Sequence, residues 1–189
     1  MATNPIPKIS EEQYLAIERA AEFKSEFLDG EMFAMAGTSN THARLQRNLI
    51  GEFYAALRGT TCEVFGSETQ VKVSSRAYFY ADALVVCGEP ATADEHDDNL
   101  LNPVVIFEIL SPSTEKYDRG LKFQHYRTLA SLRDYILVSQ DQLRIEQFTR
   151  EPDGTWTFRD YQRLDEQLKI ASIGVDIALQ RIYDRVAVA

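Results

Sequence analysis

Two runs in the chain are apolar almost throughout, and each holds a single acid. The first is Val104-Val105-Ile106-Phe107-Glu108-Ile109-Leu110, with Pro103 before it and Pro112 soon after. A run so short and so apolar reads as a buried central strand. The second is Tyr78-Phe79-Tyr80-Ala81-Asp82-Ala83-Leu84-Val85-Val86-Cys87, with its acid near the start rather than near the end. If the two runs pair antiparallel, directly opposed residues keep a constant sum of positions. A turn centred on Glu95, in the middle of the polar stretch from Gly88 to Asn102, then sets Asp82 opposite Glu108. An ionised carboxylate in an apolar strand is costly unless something pairs with it, and a metal ion is one such partner.

The rest of the pattern supplies further elements. Ser10 with Gln13 forms a capping box and predicts a short helix to about Ala20. Phe23 to Met35 alternates weakly around Asp29-Gly30, a pair favoured in type I′ hairpin turns. Glu31 follows that turn; carboxylates at strand ends are common, so a solvated end outweighs a site role for it. Thr38 to Thr41 offers N-caps for a helix with Leu45, Leu49, Phe53 and Leu57 at helical spacing, and Gly59 is a natural stop. His42 lies in the first turn, where surface or capping roles prevail. No second His stands at metal-ligand spacing, which argues against a His-based zinc site.

Cys62 to Phe65 and Thr69 to Val73 read as strand, interrupted at Gly66-Ser67. Glu68, beside the interruption, reads as exposed. Ser111 to Thr114 leads into a helix predicted from Glu115 to Leu129, which contains Lys116, Arg119, Lys122, His125 and Arg127. Strands follow at Asp134 to Val138, Leu143 to Phe148 and, after the Asp153-Gly154 turn, Thr155 to Tyr161. Val175 to Tyr183 reads as a closing helix. The order is mixed α/β (α+β) around a central antiparallel hairpin, not the alternation of a doubly wound sheet. No glycine-rich phosphate loop or Gly-x-Ser-x-Gly elbow is present.

Length and composition narrow the field. With 189 residues, no linker and no repeat, residues 1–189 are expected to form one domain. The hydrophobic fraction of 44% is ordinary for a globular protein, and no run reaches the length of a membrane span. Met1 to Pro7 lacks the basic flank and apolar core of a signal peptide. Cys62 and Cys87 are isolated, so buried free thiols in a cytoplasmic protein are expected. A net charge of −9 argues against broad electrostatic binding to nucleic acid but leaves room for acids offset by metal ions.

Opposed carboxylates on adjacent strands suit Mg²⁺ or Mn²⁺. Such an ion, with a nearby lysine, fits phosphodiester hydrolysis better than acyl transfer, for which no Ser-His-Asp or Cys-His set is evident. The bland alternative is two strand-end acids that reach solvent or pair with arginines.

An acid, a gap and then Glu-x-x in an apolar strand resemble the PD-(D/E)XK nuclease superfamily. More narrowly, several segments resemble the Uma-type (Uma two) restriction-endonuclease family. They are Phe27-Leu28-Asp29-Gly30-Glu31, Cys62 to Ser67, Tyr80 to Pro90, and Phe107 to Thr114 with Tyr117 to Phe123 and Tyr126. The resemblance implies an αβββαβ core with a central mixed sheet flanked by helices, followed here by extra C-terminal strands and the closing helix. It also implies Asp82 and Glu108 as catalytic, metal-binding acids, with Glu31 and His42 as additional candidates. Two departures stand out. Ala81 replaces the motif Pro, and Leu110 replaces the motif Lys; Lys122, about two turns into the next helix, matches a displaced lysine. The implied activity is Mg²⁺-dependent (or Mn²⁺-dependent) endonuclease action on DNA in the cytoplasm, with a homodimer as one arrangement. The rivals are an inactive binding module on the same fold, and a hydrolase of another phosphate ester. For Lys122 the bland reading is an exposed i,i+4 pair with Asp118.

Overall fold

A computed structural model of the protein describes residues 8–35 and 37–188; the leading Met1 to Pro7 segment lies outside the described residues. Helix α1 (Glu11–Ala20) starts at the Ser10–Gln13 capping box, in which both reciprocal hydrogen bonds form. Strands β1 (Ser25–Leu28) and β2 (Glu31–Ala34) make a hairpin. Its turn residues Asp29 and Gly30 both have positive φ (52° and 89°), as a type I′ turn requires. Helix α2 (Asn40–Ala56) is capped by Ser39 and buries His42, Leu45, Leu49 and Phe53 along one stripe. Each such Leu or Phe contributes about 1.5–3 kcal/mol by leaving water.

Strands β3 (Cys62–Gly66), β4 (Gln70–Ser74), β5 (Ala77–Tyr80), β6 (Ala83–Cys87), β7 (Asn99–Leu100) and β8 (Pro103–Leu110) follow. A short helical segment comes next: α3 (Glu115–Tyr117), a π-helical turn (Asp118–Lys122) and α4 (Phe123–Tyr126). The chain continues through β9 (Asp134–Ser139), β10 (Ile145–Arg150), β11 (Trp156–Tyr161), β12 (Gln167–Ile170), β13 (Val175–Ala178) and α5 (Leu179–Ile182).

The central sheet has six strands in the order β11-β10-β9-β8-β6-β3, with β8 parallel to β9 and antiparallel to β6. Read along the chain, α2, β3, β6, β8, the α3–α4 segment and β9 are an αβββαβ core. A second sheet, β2-β1-β5-β4-β7, is built largely from residues before and between those core strands. One face of the central sheet packs against α2 and the C-terminal elements through Leu45, Phe53, Phe107, Ile136, Leu168 and Leu179. The other face packs against the second sheet and the α3–α4 segment through Val71, Phe79, Ile106, Tyr126 and Leu137. Among the described residues no helix is long and apolar enough to cross a membrane.

The expected register is found. Ala83 pairs with Phe107, Leu84 with Ile106 and Val85 with Val105, which preserves the constant sum about Glu95, and a bulge follows at Val86.

Four expectations are corrected. The run Tyr78 to Cys87 is two strands in two different sheets, broken at Ala81-Asp82. Both halves are buried on both sides, so no change of hydrophobic period marks the break. The helix expected to reach Leu129 stops at Tyr126 and contains the π turn. Val175 to Ala178 is strand, not helix: it pairs with β12 across a turn closed by Gly174 at φ +66°, and only Leu179–Ile182 is helical. Cys62 and Cys87, expected as free thiols, are disulfide-bonded; they stand directly opposite each other on β3 and β6. Positions 25 apart in sequence meet there because the sheet pairs them.

Candidate active site

The fold brings four of the sequence candidates together, Asp82, Glu108, Lys122 and His42. Asp82 occupies the two-residue gap where the chain leaves β5 for β6, one residue before the ladder's first pair, Ala83 with Phe107, and Glu108 follows Phe107 on β8. Its amide donates to the Phe107 carbonyl (3.1 Å), and its Oδ2 accepts from the Ile109 amide (2.6 Å). Its Oδ1 meets His42 Nε2 at 2.8 Å, and its carbonyl accepts from Gln46 Nε2 at 2.9 Å. Residues 42 and 46 are one helical turn apart, so a single face of α2 grips Asp82 twice. His42 is buried rather than on the surface.

Glu108 is 3% exposed and Lys122 is 4% exposed. The Lys122 ammonium lies 3.0 Å from Glu108 Oε1, 2.8 Å from Glu26 Oε1 and 3.9 Å from Asp118 Oδ1. It donates a hydrogen bond to the Tyr80 carbonyl at 2.8 Å. The pair with Asp118 is therefore buried, not a solvated helix pair. The approach to Glu108 is an ion pair without hydrogen-bond alignment, which leaves Glu108 Oε1 without a hydrogen-bond partner. Lys116 is exposed.

Glu26 was not among the sequence candidates. It sits on β1, buried, and accepts from the Tyr80 amide at 3.1 Å as well as facing Lys122. Its signal in the sequence is weaker than that of Glu108, since Phe27 and Leu28 follow it but the polar Ser25 precedes it. Glu31, five residues on, is exposed at the start of β2, opposite Leu28, and takes no part in this cluster. Glu68 is exposed and pairs with Lys24. In the polar stretch between β6 and β8, Asp94 and Asp98 both bind Arg19 of α1.

Charge is unbalanced in the cluster. Glu26, Asp82, Glu108 and Asp118 interact with one another and with a single ammonium. Burial pushes the Glu108 carboxyl well above the usual carboxylate range; Lys122 opposes this, and Asp118, Asp82 and Glu26 add to it. Burial likewise raises Asp118 to about 6 against the pull of Lys122. Burial alone would lower Lys122, but Glu108 and Glu26 more than reverse that, so the lysine is held protonated.

Among the described residues no three His, Cys, Asp or Glu side chains form a metal-binding group on their own. A two-carboxylate set still suits Mg²⁺, which keeps several waters and takes one or two carboxylates from its protein. The excess of carboxylates over ammonium groups in the cluster, with Glu108 Oε1 making no hydrogen bond, suits a divalent cation. The Asp82 and His42 side chains are 15% and 11% exposed, so the cluster opens to solvent on their side.

The chain is also similar to known proteins. Residues 11–180 match the Uma2 family, described as "putative restriction endonuclease". Two uncharacterized proteins of Synechocystis are similar. One is 36% identical over 181 residues, covering 95% of this chain and 93% of its own. The other is 35% identical over 145 residues, covering 76% and 82%. The fold resembles the crystal structure of a "putative nuclease belonging to DUF820" from Anabaena variabilis, with a TM-score of 0.79 over 95% of this chain and 99% of that one. At 14% identity that likeness is one of fold.

Proposed function

The chain belongs to the Uma2 restriction-endonuclease family, and on that premise we propose that it is an endonuclease that hydrolyses phosphodiester bonds in DNA. Asp82 and Glu108 hold a Mg²⁺ (or Mn²⁺) ion in this reading, and Lys122 supplies a fixed positive charge. The observation that carries it is the meeting of Asp82, Glu108 and Lys122 at one end of the sheet, with the ammonium 3.0 Å from Glu108.

Each side chain has a task. His42 and the Ile109 amide fix the Asp82 carboxylate in one orientation. Glu108 supplies the opposing oxygens from β8. Bound there, a divalent ion supplies Lewis acidity, polarising a phosphoryl oxygen and easing loss of a proton from an attacking water. Lys122 stabilises the negative charge that grows on the phosphoryl group, the part the missing strand lysine at Leu110 cannot play. The cytoplasm as place of action belongs to the proposal. The Cys62–Cys87 bridge pulls the other way, because cytosolic thiol pools keep most cysteines reduced.

A second reading, a DNA-binding module without catalysis, draws on a specific observation. Lys122 is engaged by Glu26, Glu108 and the Tyr80 carbonyl, and both Asp82 oxygens already have partners. A cleavage assay separates the two. Purified protein is incubated with plasmid, linear and single-stranded DNA in Mg²⁺, Mn²⁺ or EDTA, beside Asp82→Asn. Cleavage that needs the metal and Asp82 supports the nuclease; binding without cleavage under every condition supports the module.

A further inference from the structure

The scheme above leaves two acids around the ammonium without a task, Glu26 at 2.8 Å and Asp118 at 3.9 Å, and Glu26 is the nearer. It reaches the site from β1 in the second sheet, whereas Glu108 lies in the central sheet and Asp82 in the gap where the chain passes from one sheet to the other. Its Oε1 lies 2.8 Å from Lys122 Nζ and also accepts the Tyr80 amide at 3.1 Å. The Tyr80 carbonyl in turn accepts from Lys122 at 2.8 Å. One carboxylate therefore holds both the ammonium and the peptide two residues before Asp82.

The consequence appears when a cation engages Glu108. The ion competes with Lys122 for that carboxylate and repels the ammonium. A lysine stem is long and flexible, so an ammonium held by Glu108 alone would swing away. Glu26 and the Tyr80 carbonyl are the partners that a cation on Glu108 leaves in place.

We propose that Glu26 is a positioning residue that keeps the Lys122 ammonium beside Glu108 while Glu108 is occupied by the divalent ion. The catalytic half of this rests on the nuclease reading; the geometric half does not. Glu26→Gln separates charge from shape, since a glutamine oxygen can still accept from the Tyr80 amide while the ion pair is lost. Glu26→Asp restores the charge on a shorter arm.

The test has a spectroscopic arm and a kinetic arm. In protein labelled with ¹⁵N-lysine, the buried Lys122 ammonium is expected to give a slowly exchanging signal that persists in saturating Mg²⁺. In Glu26→Gln, with the backbone spectrum otherwise native, that signal broadens or disappears once Mg²⁺ is added. In the kinetic arm kcat falls about 10- to 100-fold, the cost of misplacing a group by about 1 Å. KM and Mn²⁺ affinity stay within about twofold, and Glu26→Asp regains part of kcat. A Lys122 signal in Glu26→Gln that matches the wild type in saturating Mg²⁺ overturns the proposal. If neither variant folds, the wild type decides it: a nuclear Overhauser contact between the Lys122 ε-protons and the Glu26 γ-protons must persist in saturating Mg²⁺, and its loss refutes the role. If the wild type cuts no DNA, the nuclease reading fails and the spectroscopic arm alone decides the geometry.

Discussion

Replacing Lys122 by methionine keeps most of the side-chain volume and removes the charge. The ammonium stands within 3.0 Å of Glu26 and Glu108, 3.9 Å from Asp118, and donates to the Tyr80 carbonyl. Deleting one partner of a buried ion pair costs about 3–5 kcal/mol, because the other charge stays buried and uncompensated. The lost hydrogen bond adds about 1 kcal/mol. One effect works against this. Burial already raises Glu108 well above the usual carboxylate range and Asp118 to about 6, and a protonated carboxyl needs no cation. The expected loss at pH 7.5 is therefore near the lower end, about 3 kcal/mol.

The pH dependence follows from sign. A carboxyl whose folded pKa is raised carries no penalty below its unfolded value of about 4, and an increasing one as pH climbs toward the folded value. Lysine removal raises these carboxyls further, so the deficit of the variant should shrink at pH 5.5. Urea unfolding followed by circular dichroism at both pH values measures it. The double variant Lys122→Met/Glu108→Gln should recover about half of the loss, because it removes one of the stranded charges. A single-variant loss below about 1 kcal/mol at pH 7.5, with no change at pH 5.5, would refute a buried ammonium that compensates these acids.

Other outcomes follow from the same cluster and from the bridge. Asp118→Asn should stabilise the protein at pH 8 by about 1–3 kcal/mol, the equivalent of its raised pKa, with the gain fading toward pH 4; calorimetric melting at the two pH values checks it, and equal melting shifts would count against it. Asp82→Asn should stay folded yet bind Mn²⁺ at least about 10- to 100-fold more weakly, since even an outer-shell partner is worth that much; titration calorimetry that finds unchanged affinity would remove Asp82 from the site. Unfolded, unreduced protein should show no free thiol by colorimetric assay, and reduction should cost up to about 3.5 kcal/mol for a loop closed across 25 positions. Two free thiols would restore the reading drawn from the sequence.

Much of the core was readable because its signals are local or arithmetic. The capping box at Ser10 and the Asp29-Gly30 turn rest on neighbours in sequence. The pairing of Asp82 with Glu108 needed only the midpoint of one polar stretch. What was hidden depends on long-range geometry. An apolar run carries no mark of which sheet it serves, so the step from β5 to β6 was invisible. The disulfide required β3 to lie beside β6, which no spacing of two cysteines can state. His42 lies in helical phase with Leu45, Leu49 and Phe53, and that phase was the sign of its burial. Glu26 is hard to tell from Glu31 by sequence because the alternation around the Asp29-Gly30 turn is weak; only the buried pattern of β1 against the exposed pattern of β2 separates the two acids.

The π turn at Asp118–Lys122 has a consequence for insertion and deletion. In a regular α-helix each residue advances the side-chain direction by about 100°, and a π turn accommodates one extra residue within such a ladder. Lys122 is the only buried Lys or Arg among the described residues, and it points at Glu108 from the last position of that turn. Removing Gly120, where an added Cβ would meet nothing within 4 Å, would shorten the segment to an ordinary helix and rotate the lysine away by about 100°. A chain could thus keep every charged letter of the cluster and still lose its ammonium through the deletion of a residue that touches none of it. In this segment residue count, as much as residue identity, encodes the site, and a crystal structure of the Gly120 deletion would read the rotation directly.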